Sequence, residues 1–376
     1  MGNTDNMKKM VLMAAASLVL AACSSTPKTN EPAELKDIED PIKVDVVWDR
    51  SVGSSEYEFL VPAVAGSYVY AAGSDDVYKF DAETGKEIWS YQAPENISAG
   101  VGSDGTCVAF GTAKGELIVL NDDGKFMWSH YLTSEMNAVP LVGNGLVIVR
   151  TADTRITGFD AMTGEQVWRY QGQVPSLTLK TASQMKFFED GILIGQSNGY
   201  LLFLDMNGRT RWQALVSEPK GTTEVERLVD VLGAPMVDND LLCSTVYEGR
   251  LVCLNAADGR LRFTYNVEAM TPPAISDRAV FVANDKSEIF AFERFEGRPL
   301  WKSDDLKNRG VRAMITFGGV LAVTDSEGYI HMINPDTGEI VGRTDMSGAF
   351  VAMPQPYEYG AIFQTDDGDL AYVKVR

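Results

Sequence analysis

With two histidines and four cysteines in 376 residues, the chain has little material for a catalytic or metal centre. His130 and His331 lie far apart on ordinary strand patterns, and neither has a second histidine or a cysteine at ligand spacing. The nucleophile-elbow, phosphate-loop and H-E-x-x-H patterns are all missing. No catalytic, cofactor-binding or metal-binding residue is therefore assigned. Basic residues are also scarce: 33 Lys+Arg face 52 Asp+Glu, a net charge of −19. That balance withholds the cationic footprint nucleic acid requires. No apolar run is long enough to span a bilayer as a helix. The run at residues 10–20, preceded by Lys8 and Lys9, instead has the layout of a secretory signal.

That signal ends in Leu20-Ala21-Ala22-Cys23, which resembles the bacterial lipobox. The resemblance implies cleavage before Cys23, acylation of its thiol and, with Ser24 following, sorting to the outer membrane. Residues 1–22 are then signal peptide. Residues 23–42 are polar and proline-bearing, and read as a flexible tether. Residues 43–376 form one domain.

What the chain has in quantity is a repeat. The stretch DVYKFDAETGKEIWSY at 76–91 returns as FDAMTGEQVWRY at 159–170, LNDDGKFMWSHY at 120–131 and LDMNGRTRWQ at 204–213, with weaker copies starting at 254, 292 and 333. A glycine is followed four positions later by an aromatic residue: Gly85/Trp89, Gly124/Trp128, Gly164/Trp168, Gly208/Trp212, Gly259/Phe263 and Gly297/Trp301. Gly338 is the exception, because Gly342 stands where the ring should be. Between these anchors the pattern alternates at the period of sheet and breaks at glycine-bearing turns. Asp81, Asn121, Asp160, Asp205, Asn255 and Asn334 each open such a turn, where a side-chain oxygen can accept from the backbone two residues on. Each unit is a four-stranded antiparallel sheet of roughly 40 residues, the size of a propeller blade. The C-terminal segment supplies strands but stops without a fourth, while the strand ending at Trp48 has no partner upstream. Pairing the two closes an all-β, eight-bladed propeller and removes the two end edges an open array would expose.

Cys107, Cys243 and Cys253 remain in an oxidising compartment. A two-residue turn at 248–249 would put Cys243 opposite Leu254, with the cysteines on opposite faces; a three-residue turn at 247–249 would put them face to face. The expectation is buried free thiols. The repeat is interrupted at 171–183 and 216–233. Both stretches run from the outer strand of one blade to the inner strand of the next, so they share one face of the ring. Leu177 and Leu179 alternate with polar neighbours and would form a small apolar cluster with a charged rim, or else pack under their own loop.

Two resemblances follow. DAETGKEIW at 81–89 resembles the docking repeat of the PQQ-dependent alcohol dehydrogenases, which are eight-bladed propellers whose quinone lies under a vicinal disulfide beside calcium-binding acidic residues. No two cysteines are adjacent here, so the repeat bears on fold, and a periplasmic PQQ-dependent dehydrogenase is the alternative reading. Nearly the whole mature chain is similar to the BamB family of β-barrel assembly lipoproteins, on Cys23, WDRSVG at 48–53, PSLTLK at 175–180, GTTEVERLVD at 221–230 and DSEGYIHMIN at 325–334. That resemblance implies a non-enzymatic scaffold without cofactor on the periplasmic face of the outer membrane. It also implies binding to a periplasmic POTRA domain of BamA through Leu177, Leu179, Lys180 and Asp230. Lys180 and Leu232 depart from the family's arginine and second aspartate. A further expectation is that the rim holds unfolded barrel precursors by strand pairing.

Overall fold

The computed structural model describes residues 31–57, 59–173, 177, 184–218, 222–223, 228–247, 249–269, 271–350 and 352–376, with the backbone alone at Phe59. Strands are the regular element throughout these residues. In the first complete blade they are Ala63–Ala65, Tyr68–Ala72, Asp76–Asp81 and Glu87–Gln92, each antiparallel to the one before. This up-and-down order recurs in seven blades, I to VII, whose outer strands end at Gln92, Tyr131, Gln171, Leu215, Asn266, Ser303 and Asp345. Blade VIII is composite: Val44–Ser51 pairs antiparallel with Asp369–Val375 and forms its outer strand. The innermost strands of neighbouring blades touch in a complete circle, blade VIII against blade I included. The eight-bladed reading and its closure by both termini are borne out.

The glycine–aromatic register is a contact between blades. The Trp128 ring of blade II lies over Gly164 of blade III, so close that a Cβ at 164 would sit 2.7 Å from the ring. The same holds for Trp48 over Gly85, Trp89 over Gly124, Trp168 over Gly208, Trp212 over Gly259, Phe263 over Gly297 and Trp301 over Gly338. Indole N–H groups complete the seam, with Trp48 donating to Ala82 O at 2.9 Å, Trp128 to Ala161 O at 3.0 Å and Trp301 to Pro335 O at 2.9 Å. In blades I to VII the pairing of third and fourth strands shifts by one residue just before the anchor position, as between Lys79 and Phe80. Such a bulge bends the outer strand and re-aims the next side chain. The opening Asp and Asn residues act as turn acceptors: Asp81 Oδ1 accepts from Thr84 N at 2.8 Å, and Asn334 Oδ1 from Asp336 N at 2.9 Å.

Gly342 also acquires a reason. Blade VIII has no turn between its third and fourth strands, since the fourth comes from the N-terminal end, so no turn glycine exists to receive a ring from blade VII. Ile42 and Val44 fill the space instead, 2.9 and 3.1 Å from where a Cβ on Gly342 would be.

The expectation for the cysteines is corrected. Cys243 and Cys253 are directly opposed in register and form a disulfide. The strands Leu241–Val246 and Arg250–Asn255 leave residues 247–249 as a three-residue turn, the alternative that turns both side chains to one face. Their Cα atoms are 4.2 Å apart, close to a non-hydrogen-bonded cross-strand pair. Cys107 is a buried free thiol, and burial pushes its pKa up to about 11. Residues 31–42, assigned above to the tether, lie against blades VI and VII.

Candidate functional site

The longest connections of the ring are 172–184, between blades III and IV, and 216–230, between blades IV and V. Both leave an outer strand for the next inner strand, so both stand on one face, called here the loop face. Their bases are stitched together around blade IV. Gln184 N donates to Gly233 O at 3.0 Å, and Gln184 Oε1 accepts from Val139 N at 2.8 Å, so this residue spans blades III to V. Val216 N and Ser217 N both donate to Gly199 O, at 2.8 and 3.2 Å. Val229 bridges Asn198, and Val231 N donates to Gln196 O at 3.3 Å. Both ends of the second loop therefore rest on the blade IV turn at 196–199.

The site residues expected from sequence fall into three groups. Leu177 is exposed, with 43% of its surface open to solvent. Leu179 and Lys180, and likewise Glu224, Glu226, Arg227 and the lipidation residue Cys23, lie outside the described residues. Asp230 is the opposite of Leu177 in placement, with 2% of its surface exposed. Its backbone carbonyl accepts from Tyr247 N at 2.9 Å. Its charge acts on Arg150, which is 3% exposed and donates to Gly195 O at 2.7 Å. Burial lowers the Arg150 guanidinium to about 10, and Asp230 opposes that fall. Sequence reasoning missed Arg150. The available signal was an arginine closing a strand, Leu146–Arg150, that is otherwise aliphatic and buried throughout.

The axis of the ring is a cavity of about 470 Å³ lined by every innermost strand, with Met185, Met236, Met314 and Met353 among its walls. Lys186 is the cation there, and burial lowers its pKa. Among the described residues the lining contains no carboxylate. An anionic quinone held with calcium needs acidic ligands around the metal, and its family's vicinal disulfide has no counterpart in the cross-strand Cys243–Cys253 bond. The residues present do not fit that group. His130 meets the Gly164 carbonyl at 2.6 Å and stacks on Phe159, while His331 is enclosed in blade VII beside Asp325. Both are packing elements.

The family model described as outer membrane protein assembly factor BamB matches residues 45–99, 73–303 and 296–375. The assembly factor BamB of Bordetella pertussis is 36% identical over 366 residues, covering 96% of this chain and 95% of that protein. That of Burkholderia pseudomallei is 38% identical over 346 residues, covering 91% of each. The chain belongs to the BamB family. The crystal structure of BamB from Moraxella catarrhalis superposes with a TM-score of 0.81 at 28% identity, covering 88% of this chain and all of that one. The quinohemoprotein alcohol dehydrogenase of Comamonas testosteroni gives 0.67 at 15% identity over 88% of this chain and 76% of its own. That second likeness is one of fold alone. BamB proteins are named for outer membrane protein assembly, not for a reaction, and the dehydrogenase reading is set aside.

Proposed function

We propose that the chain is a non-catalytic scaffold of the β-barrel assembly machinery, held by a lipidated Cys23 on the periplasmic face of the outer membrane and docked onto a POTRA domain of BamA. The observation that carries this reading is the pair of long connections over blades III to V, sharing one face and presenting Leu177 to solvent. Leu177 and Leu179 supply the apolar centre of the contact and Lys180 a charged rim, the arrangement that concentrates binding energy in a few side chains. Asp230 serves this surface from beneath. Its carboxylate acts on Arg150 and its backbone carbonyl accepts from Tyr247 N, and so it positions the end of the second loop. Replacing Leu177 and Leu179 together by alanine is expected to abolish co-purification with BamA while the far-UV circular dichroism stays unchanged. Retained capture would overturn the assignment.

A second role has its own observation. The outer strands of the blades carry exposed apolar side chains, among them Phe126, Val167, Leu261 and Leu300. An unpaired strand edge with apolar side chains suits pairing with an extended barrel precursor. Crosslinking from these strands to nascent barrel chains tests it, and crosslinks confined to the two long loops would count against it.

A further inference from the structure

Residues 31–43 meet prepared groups on the ring. Asn308 Nδ2 donates to Glu31 O at 3.1 Å, Ala33 N to Lys307 O at 2.8 Å, and Arg309 Nη1 to Ala33 O at 3.0 Å. Lys36 pairs with Asp305, both terminal nitrogens of Arg343 reach Lys36 O at 3.4 Å, and Ile42 N donates to Val341 O at 2.8 Å. The two arginines that hold the segment are themselves set by the core of blade VII. Arg309 Nε lies 2.8 Å from Asp325 Oδ2 and its Nη2 2.5 Å from Glu327, and Arg343 Nε donates to His331 Nδ1 at 3.2 Å. The side chains of Ile42 and Val44 then close over Gly342.

The direction of this segment has consequences. Asp305 to Arg309 belong to the connection between blades VI and VII, on the loop face. Val341 sits at the start of the outer strand Ile340–Asp345, near the opposite face, called here the turn face because it carries the glycine turns between third and fourth strands, and Val44 begins the outer strand of blade VIII there. The chain therefore crosses the rim from the loop face at Glu31 to the turn face at Val44.

We propose that residues 31–43 are a fixed strap that cuts the lipid tether to the residues before 31 and turns the loop face toward the membrane. Resting as it does on the Cys23 anchor proposed above, the geometry is tight: the eight residue steps from Cys23 to Glu31 reach at most about 28 Å even when fully extended. The exit point lies over blades VI and VII, two blades on from the connection between blades IV and V and three from that between blades III and IV. A domain bound to those loops then occupies the membrane side of the ring, to one side of the anchor.

The test places one fluorophore on each face of the same region, through Asp304→Cys on the loop face or Thr337→Cys on the turn face, in lipidated protein bound to phosphatidylethanolamine/phosphatidylglycerol vesicles that carry a headgroup quencher. The sites are separated by about a strand length, roughly 20 Å. Stronger quenching at 304 than at 337, lost when residues 31–41 are replaced by a Gly/Ser linker of equal length, is the expected result. Equal quenching at the two sites, or a difference that survives the linker, overturns the proposal. The linker leaves the ring's own residues untouched, so circular dichroism should not change. Two arms separate this proposal from the anchor. Cys23→Ser protein should lose vesicle binding, and continued binding refutes the anchor alone. Hydrogen exchange of the full chain in detergent micelles should show slow amides at Ala33 and Ile42, and fast exchange there refutes the strap alone.

Discussion

Replacing Gly164 by alanine tests whether the ring is assembled through its aromatic–glycine seams. Gly164 has φ +74°, and a Cβ there would lie 2.7, 2.9 and 3.0 Å from atoms of the Trp128 indole. Two costs follow. A left-handed backbone costs a residue with a Cβ about 1–2 kcal/mol. Forcing a methyl into a packed contact adds about 1–3 kcal/mol. Gly145, in the same blade, isolates the first cost, because its φ is +75° and nothing lies within 4 Å of its would-be Cβ. Gly145→Ala should therefore lose only the backbone share, about 1–2 kcal/mol, while Gly164→Ala should lose roughly 2–5 kcal/mol. Any effect of alanine on the unfolded chain is common to both and cancels in the comparison. Urea unfolding followed by tryptophan fluorescence supplies the values. Trp128→Ala alone should cost about 3–5 kcal/mol. In that background Gly164→Ala should cost no more than Gly145→Ala, since the ring it collides with is gone. Equal costs for the two glycines, or a Gly164 cost indifferent to Trp128, would refute the seam as a source of stability.

The disulfide and blade VII give two further expectations. Exchanging Cys243 and Cys253 for serine, or reducing the bond, reopens a loop of ten residues and should lower stability by roughly 3 kcal/mol on loop-entropy grounds; a thermal midpoint unmoved by reductant would contradict this. His331 is 0% exposed, and burial holds its pKa below the ordinary 6.5 against the opposing pull of Asp325. A base that binds its proton less readily when folded contributes stability that is complete above pH 6.5 and declines as pH falls through the folded value. The urea midpoint of the native chain should fall from pH 6.5 downward, more steeply than that of His331→Gln, and parallel curves would show that His331 is not the titrating group.

The fold was legible because its closing contacts are local in type and periodic in sequence. A turn acceptor, a glycine and an aromatic at fixed spacing state both where a blade ends and which surface it offers to the next. The Trp48 register adds the eighth copy, although the strand it ends finds its partner, Asp369–Val375, only at the other end of the chain. Gly342 read as a failure of the rule, and the structure makes it a consequence of closure: a blade completed from the other end of the chain has no turn for a ring to land on. The cysteine pair was not legible, because its geometry depends on whether the intervening turn holds two residues or three. Sequence admits both, and the shift of a single residue reverses the facing of every side chain.

The candidate site was legible only where the repeat breaks. A periodic fold states its own scaffold so fully that departures from the period stand out, as residues 171–183 and 216–233 do. Within those loops, however, the motif does not sort surface from support. Leu177 and Asp230 were marked alike, yet one faces solvent and the other lies under the loop base within the field of Arg150. The sequence distance between Arg150 and Asp230 hides their relation, and no periodicity links a residue ending one blade's second strand to one entering a blade two places on. The tether is the same case at larger scale. Its composition reads as slack, but the groups that hold it, Arg309 and Arg343, lie in blade VII and are oriented by Asp325 and His331. Polar composition describes what a segment can do alone. A docking place hundreds of residues away decides what it does in the ring.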